Sequence, residues 1–149
     1  KAIRFAEKDV RPMGRTARGV RGIKMPAGTK LISLMIIEEG KTILTATENG
    51  YGQRTKVEDY RPIGRGGQGV RAIQATERNG RVIGAKQVGD DDEALLITNA
   101  GTMVRIRVKE VSVIGRNTQG VRLIQMGEGE QLVEIEAVLG ESDEEQEDV

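Results

Sequence analysis

Seven arginines recur at fixed spacing beside glycines. Arg15, Arg18 and Arg21, then Arg65 and Arg71, then Arg116 and Arg122 all fall within copies of one pattern, GRxxxGVRxI. A guanidinium presents five N–H donors in a rigid fork that fits a phosphate. A glycine lets backbone amides reach the same oxygens with no side chain in the way, as Gly64, Gly66, Gly67 and Gly69 could. The chemistry such a segment offers is recognition of a polyanion, not bond breaking. Nucleophilic and zinc chemistry are poorly supplied: the chain has no His and no Cys, and Ser33, Ser112 and Ser142 have no base to form a triad. A single glycine-rich loop beside a cation is a weak signal that suits a turn or linker equally well.

Three copies in register are a stronger signal. They are RPMGRTARGVRGI (11–23), RPIGRGGQGVRAI (61–73) and VSVIGRNTQGVRLI (111–124), with first glycines at Gly14, Gly64 and Gly115, steps of 50 and 51 residues. The register extends upstream through Arg4, Arg54 and Arg105, and through Val10, Tyr60 and Val111. A period near 50 residues marks a repeat architecture in which each unit buries its apolar face against its neighbours.

Each unit reads as four short strands. GVRxI begins the first. Turns at Pro26-Ala27-Gly28, Asn79-Gly80 and Gly127-Glu128-Gly129 lead to a second, KLISLMII, RVIGAKQV or QLVEIEAVL. A third, TILTAT (42–47) or ALLIT (94–98), turns through Asn49-Gly50 or Asn99-Ala100-Gly101 into a fourth, typified by MVRIRVKEV (103–111). There Val104, Ile106 and Val108 alternate with Arg105, Arg107 and Lys109, so period two sends the aliphatics inward and the cations outward. The same register predicts outward Arg4, Arg54 and Lys56. GRxxxG then joins the fourth strand of one blade to the first of the next, and its arginines would line one rim. The expected fold is all-β: a propeller-like array of four-stranded blades, with units at 1–23, 24–73 and 74–124 and final strands at 125–139. Three units cannot close a typical ring, so an incomplete ring with further blades upstream is expected.

Charge divides the chain. Residues 1–125 hold all 23 Lys and Arg against 13 acids, a net +10, and residues 126–149 hold the remaining 10 acids and no cation. A basic body with an acidic tail suggests a polyanion partner and a tail, residues 140–149, that competes for the same surface. One Phe, two Tyr and no Trp leave the stacking platforms of single-strand readers undersupplied, so duplex backbone binding fits better. The absence of Trp also argues against a protein-interaction propeller of the WD40 type. Asp90, Asp91, Asp92 and Glu93 read as a solvated loop, with magnesium a minor alternative. No run nears the roughly 18 apolar residues of a membrane span, and a cytoplasmic address is expected.

Across nearly the whole chain these units resemble the C-terminal DNA-wrapping domain of the A subunit of bacterial DNA gyrase, a β-pinwheel. NGYGQRT, IGRNTQGV and VRPMGRTARGVRGI look like its blade segments. The paralogous subunit of topoisomerase IV is the competing resemblance. The likeness implies that duplex DNA wraps the outer rim and supports ATP-dependent negative supercoiling by a type II topoisomerase in the nucleoid. It implies as partners a second gyrase A subunit together with the gyrase B subunit, in an A2B2 assembly. ATP and magnesium would be used elsewhere in that assembly, with no cofactor on this segment. The family's QRRGGKG box finds its nearest match in IGRGGQG (63–69), where Arg65, Gly66, Gly67 and Gly69 agree while Ile63, Gly64 and Gln68 depart. The family's cleavage tyrosine lies in an Arg-Tyr-Thr setting on another domain. Tyr51 and Tyr60 lie in no such setting, and both read as structural. The DNA-binding candidates are thus Arg4, Arg15, Arg18, Arg21, Arg54, Lys56, Arg65, Gly66, Gly67, Gly69, Arg71, Arg105, Arg107, Arg116 and Arg122, with none catalytic and none metal-binding.

Overall fold

A computed structural model describes residues 1–140. Its strands are β1 (Thr42–Thr47), β2 (Tyr51–Lys56), β3 (Val82–Val88), β4 (Glu93–Thr98), β5 (Met103–Arg107), β6 (Val121–Arg122) and β7 (Leu132–Val138). They form two antiparallel sheets, one ordered β3-β1-β2-β6 and the other β5-β4-β7. Short 3-10 turns at Glu7–Asp9, Val57–Asp59 and Val108–Glu110 follow the fourth-strand segments at one-repeat intervals.

Blades are built across repeats. β1 and β2 form a hairpin through Asn49-Gly50, with Thr42 opposite Lys56 and Ala46 opposite Gly52. Counting each repeat from its GVRxI strand, at Gly19, Gly69 and Gly120, β3 of the next repeat adds beside β1, with Thr42 opposite Val88. β6 of the repeat after that adds beside β2, with Gly52 opposite Val121. The second sheet repeats the plan, pairing β4 with β5 and with β7 of the following repeat. The segments 69–88 and 120–138, which run from GVRxI into a second strand, therefore each serve two blades.

This exchange explains the core. Leu44 and Val88 of the first sheet meet Ala94, Val108 and Val111 of the second repeat, and Ala46 meets Leu96, Ile124, Leu132 and Ile135. Leu44, Leu96 and Val88 are fully buried, each side chain contributing about 1.5–3 kcal/mol. The apolar contacts lie between sheets, so neighbouring repeats stabilise one another.

Three expectations change. KLISLMII forms no strand in the described residues. Its alternation survives, with Met35 and Ile37 packed toward Ile43, Val57 and Tyr60 while Leu34 and Ile36 are 88% and 82% exposed. No third strand lies against it, and it is held to β3 by side chains: Ser33 Oγ donates to the Ala85 carbonyl and Gln87 Nε2 to that of Ile36. The GVRxI strands shrink to the two residues of β6 and one bridge, Val70 to Ala2. The fourth strand at 103–111 ends at Arg107, where the 3-10 turn begins. The inward facing of Val104, Ile106 and Val108 agrees with the alternation.

Candidate nucleic-acid interface

The three glycine-arginine loops sit one on another. Ile63 N–H donates to the Arg4 carbonyl and Ile114 N–H to that of Arg54, docking each loop on the fourth-strand segment one repeat earlier. Gly66 N–H donates to Gly22 O and Lys24 N–H to Gly67 O, joining the first loop to the second. Gln74 N–H donates to Thr118 O and joins the second to the third. The result is one continuous ribbon of loops crossing all three repeats.

Glycine is required in this ribbon where backbones cross. Gly69 and Gly120 have φ of +73° and +77°, and a Cβ on either would fall on the carbonyl of Ala2 or Gly52. These glycines allow first-strand segments to approach fourth-strand segments. Gly66 was expected to present its amide to a phosphate, but that amide is committed to Gly22 O. Gly69 is half-buried behind Ala2, leaving Gly64 and Gly67 as the exposed glycines of that loop.

The arginines sort into two kinds. In the motif itself, Arg65 donates Nε–H to Asp9 O and Nη1–H to Arg21 O, at 2.9 and 3.2 Å. Arg116 does the same one repeat later, to Asp59 O and Arg71 O at 2.9 and 2.6 Å. Both clasp the loop of the preceding repeat while remaining partly accessible, and Arg116 also lies 5.7 Å from the ring centroid of buried Tyr60. The upstream arginines are internal pins. Arg4 Nη1 donates to the carbonyls of Val57 and Tyr60, and Nη2 pairs with Glu39 at 2.6 Å. Arg54 Nη1 donates to Val108 O and Val111 O, its Nε to Thr42 Oγ1, and its Nη2 pairs with Asp90. At 3% exposure, Arg54 is not the outward cation that strand alternation predicts. A later repeat covers the face on which it lies.

Arg15, Arg18, Arg21 and Arg71 are exposed along the ribbon, as are Lys56, Arg105, Arg107 and Arg122 on the strands beside it. Arg105 pairs with Glu93. The first loop is the most basic: Lys8, Arg11, Arg15, Arg18, Arg21 and Lys24 are all exposed, with Asp9 the sole acid among them. The acidic loop at 90–93 is exposed at Asp90 and Asp91, as a solvated loop would be, yet three of its carboxylates are engaged. Asp90 holds Arg54, Asp92 accepts the amides of Gly89 and Gly140, and Glu93 holds Arg105. Among the described residues no group of three or more acidic side chains is placed to hold a metal ion. No helix among them is long and apolar enough to cross a membrane.

Two polar hubs escaped the reading of the sequence. Gln53, fully buried, donates to Ala72 O and Arg116 O and accepts from Thr118 Oγ1, tying β2 to two successive loops. Asn79, also fully buried, accepts from Thr76 N–H and donates to Gln74 O and Gln119 O. The only signal for Asn79 was its place in an Asn-Gly turn.

The chain is similar to the DNA gyrase A subunit of Klebsiella oxytoca, 54% identical over 98% of this chain and 17% of that protein. It is likewise similar to the DNA gyrase A subunit of Escherichia coli K12, 50% identical over 97% of this chain and 17% of that protein. It thus spans about a sixth of these relatives. A solved DNA gyrase A C-terminal domain superposes with TM-score 0.82 at 27% identity, covering 91% of this chain and 46% of that one. A solved C-terminal domain of DNA topoisomerase IV superposes with TM-score 0.82 at 24% identity, covering 90% and 42%, a likeness of fold. Residues 1–38, 41–88 and 92–138 match the family described as DNA gyrase C-terminal domain, beta-propeller, and the chain belongs to that family.

Proposed function

We propose that this chain binds duplex DNA through its phosphates, without sequence preference, and wraps it along the ribbon of stacked loops. The observation that carries this reading is the continuity of the ribbon. Hydrogen bonds run from loop to loop across three repeats, and Arg15, Arg18, Arg21, Arg61 and Arg71 stand exposed along it. Bending a 20–30 bp site by 40–90° costs of order 1–6 kcal/mol, which one loop could not offset and a series of loops can. Phosphate contacts fix position and carry little base information. Family membership supports a place for the chain in a type II topoisomerase of the bacterial nucleoid. There it would present wrapped DNA for ATP-dependent negative supercoiling, beside a second gyrase A subunit together with the gyrase B subunit. Within the ribbon, Arg15, Arg18, Arg21, Arg71 and Arg122 contact DNA, with Lys56, Arg105, Arg107, Gly67 and the free donors of Arg65 and Arg116 adding to them. Arg4, Arg54, Gly66 and Gly69 shape the surface. The acidic tail beyond Gly140, expected to compete for this surface, lies outside the described residues.

Fluorescence anisotropy with a duplex of about 40 bp across a salt series tests the reading. Neutralising about six phosphates gives a log–log salt slope near −5. Changing Arg15, Arg18, Arg21 and Arg71 together to alanine reduces that slope by about 3–4. Weak binding with no salt dependence in the unaltered chain would overturn the proposal.

A further inference from the structure

Tyr51 carries two guanidiniums. Arg78 lies 4.8 Å and Arg122 5.4 Å from its ring centroid, and Arg122 Nη2 donates to the phenol oxygen at 2.9 Å. The three residues belong to three successive repeats: Tyr51 opens β2, Arg78 sits in the turn before β3, and Arg122 ends β6. Strand exchange brings them together. The turn bearing Arg78 is itself fixed, because Asn49 Nδ2 donates to the carbonyls of Glu77 and Arg78, both at 3.2 Å.

Neither guanidinium joins an ion pair among the described residues. Glu130 lines a shallow cavity of about 240 Å³ with Arg122. Its carboxylate is already engaged, with Oε1 accepting from Thr98 Oγ1 and Oε2 from Gly127 N–H. Both arginines are exposed, whereas Tyr51 is 6% exposed. Two cations are thus held close together on one buried, neutral ring, with no salt bridge to either among the described residues. Stacking on the ring also restrains two long side chains, so less rotamer freedom is left to lose when a ligand binds.

We infer that Arg78, Arg122 and Tyr51 form a phosphate clamp at the junction of three repeats, which grips a phosphodiester of the duplex backbone. This rests on the DNA-binding reading and adds to it a site the repeat pattern does not contain. One step of 51 residues along, the counterparts of Tyr51 and Arg78 are Thr102 and Gly129. The ring orients both forks, and a phosphodiester's two anionic oxygens can accept from both. The phenol of Tyr51 is held below its ordinary pKa by the Arg122 guanidinium first and that of Arg78 next, as expected where two cations converge on one oxygen.

The test uses the whole chain and a 40 bp duplex at moderate salt. Arg78→Ala weakens binding about 5–10-fold and makes the salt slope shallower by about 1. Tyr51→Phe, which keeps every charge but removes the phenol oxygen, weakens it about 2–4-fold. Arg81→Ala is the control: it removes a charge from the same turn outside the clamp, and changes affinity by less than 2-fold. Equal losses in the Arg78 and Arg81 variants would reduce the site to general charge and overturn the clamp. Unaltered duplex binding in both clamp variants would also overturn it while leaving the ribbon reading intact. A parent chain that does not bind the duplex would overturn both. Side-chain NMR separates the sources of phosphate. Arg78 and Arg122 Nε–H signals move with the duplex and need many millimolar of inorganic phosphate to move without it. Saturation by submillimolar phosphate, with no response to the duplex, would overturn the assignment to the DNA backbone.

Discussion

The two sheets are the same repeat in two settings. β1 is buried at all six positions, whereas β4 alternates between buried and half-buried. Arg54 of β2 is 3% exposed, whereas the side chain of Arg105, its counterpart on β5, is 61% exposed. The difference lies outside both strands. β2 receives β6 along its edge and the Val113–Ile114 segment against Arg54, while β5 is an edge strand among the described residues. An arginine at one register position is therefore a buried pin where a later repeat covers it and a surface cation where none does.

The sharpest way to break this comparison is to remove both arginines in turn. Arg54→Ala leaves the carbonyls of Val108 and Val111 and the Thr42 hydroxyl without their charged donor. Hydrogen bonds to charged groups contribute about 1.5–3 kcal/mol each, and water can replace some of them. The expected loss is about 3 kcal/mol, or roughly 6–12 °C in Tm for a chain of this size. Arg105→Ala removes an exposed pair and costs less than about 1 kcal/mol. Urea unfolding of the two variants decides it, and equal losses would mean that coverage does not set the role of this arginine.

A second contrast lies among the loop glycines. Gly120→Ala must hold a side chain at positive φ and push β6 away from Gly52, at a cost of at least about 2 kcal/mol. Gly115→Ala meets open space at an ordinary φ and should change stability by less than about 0.5 kcal/mol, or raise it slightly. If Gly115→Ala instead weakens duplex binding with no loss of stability, its amide serves a phosphate after all.

A third contrast separates clasp from contact. Arg71→Ala removes an exposed side chain and should make the salt slope of duplex binding shallower by about 1, with Tm unchanged. Arg65→Ala releases Asp9 O and Arg21 O and should lower stability by about 1–2 kcal/mol. Thermal melts beside the anisotropy series distinguish the two, and identical profiles would dissolve the distinction.

The repeat, its hairpin turns and the alternation along β5 were legible because each is a local pattern. The facing of Arg54 was not. It depends on a segment some sixty residues downstream, and period two within β2 assigns it to solvent. The loop glycines were legible as required but not as to purpose, since close backbone approach and phosphate approach demand the same missing Cβ. Leu34 and Ile36 read as strand because their spacing is that of a strand, but a strand is completed by a backbone ladder, and among the described residues only side-chain bonds join this segment to β3. The grouping of Arg78, Tyr51 and Arg122 left no trace in the repeat, because neighbouring copies carry other residues at the first two positions.

The smallest expected effect concerns the turn that enters the second strand of each blade. In the first sheet it is held by Asn79, whose amide oxygen accepts from Thr76 N–H. One step of 51 residues later the same place is held by Glu130, whose carboxylate accepts from Gly127 N–H and Thr98 Oγ1. These two bonds, the Thr98 hydroxyl first, hold the Glu130 carboxyl below the ordinary carboxylate range. A depressed folded-state value adds stability that is present above the unfolded pKa, about 4.3. That stability is lost as pH falls through the folded value. An amide does not titrate, so acid should loosen the 127–130 turn before the 76–79 turn, as amide hydrogen exchange at Gly127 and Thr76 would report. Thr98→Val should raise the Glu130 midpoint in a carboxyl NMR titration. A midpoint already at the ordinary value in the unaltered chain would mean that both turns are held alike, with no pH-sensitive difference between the sheets.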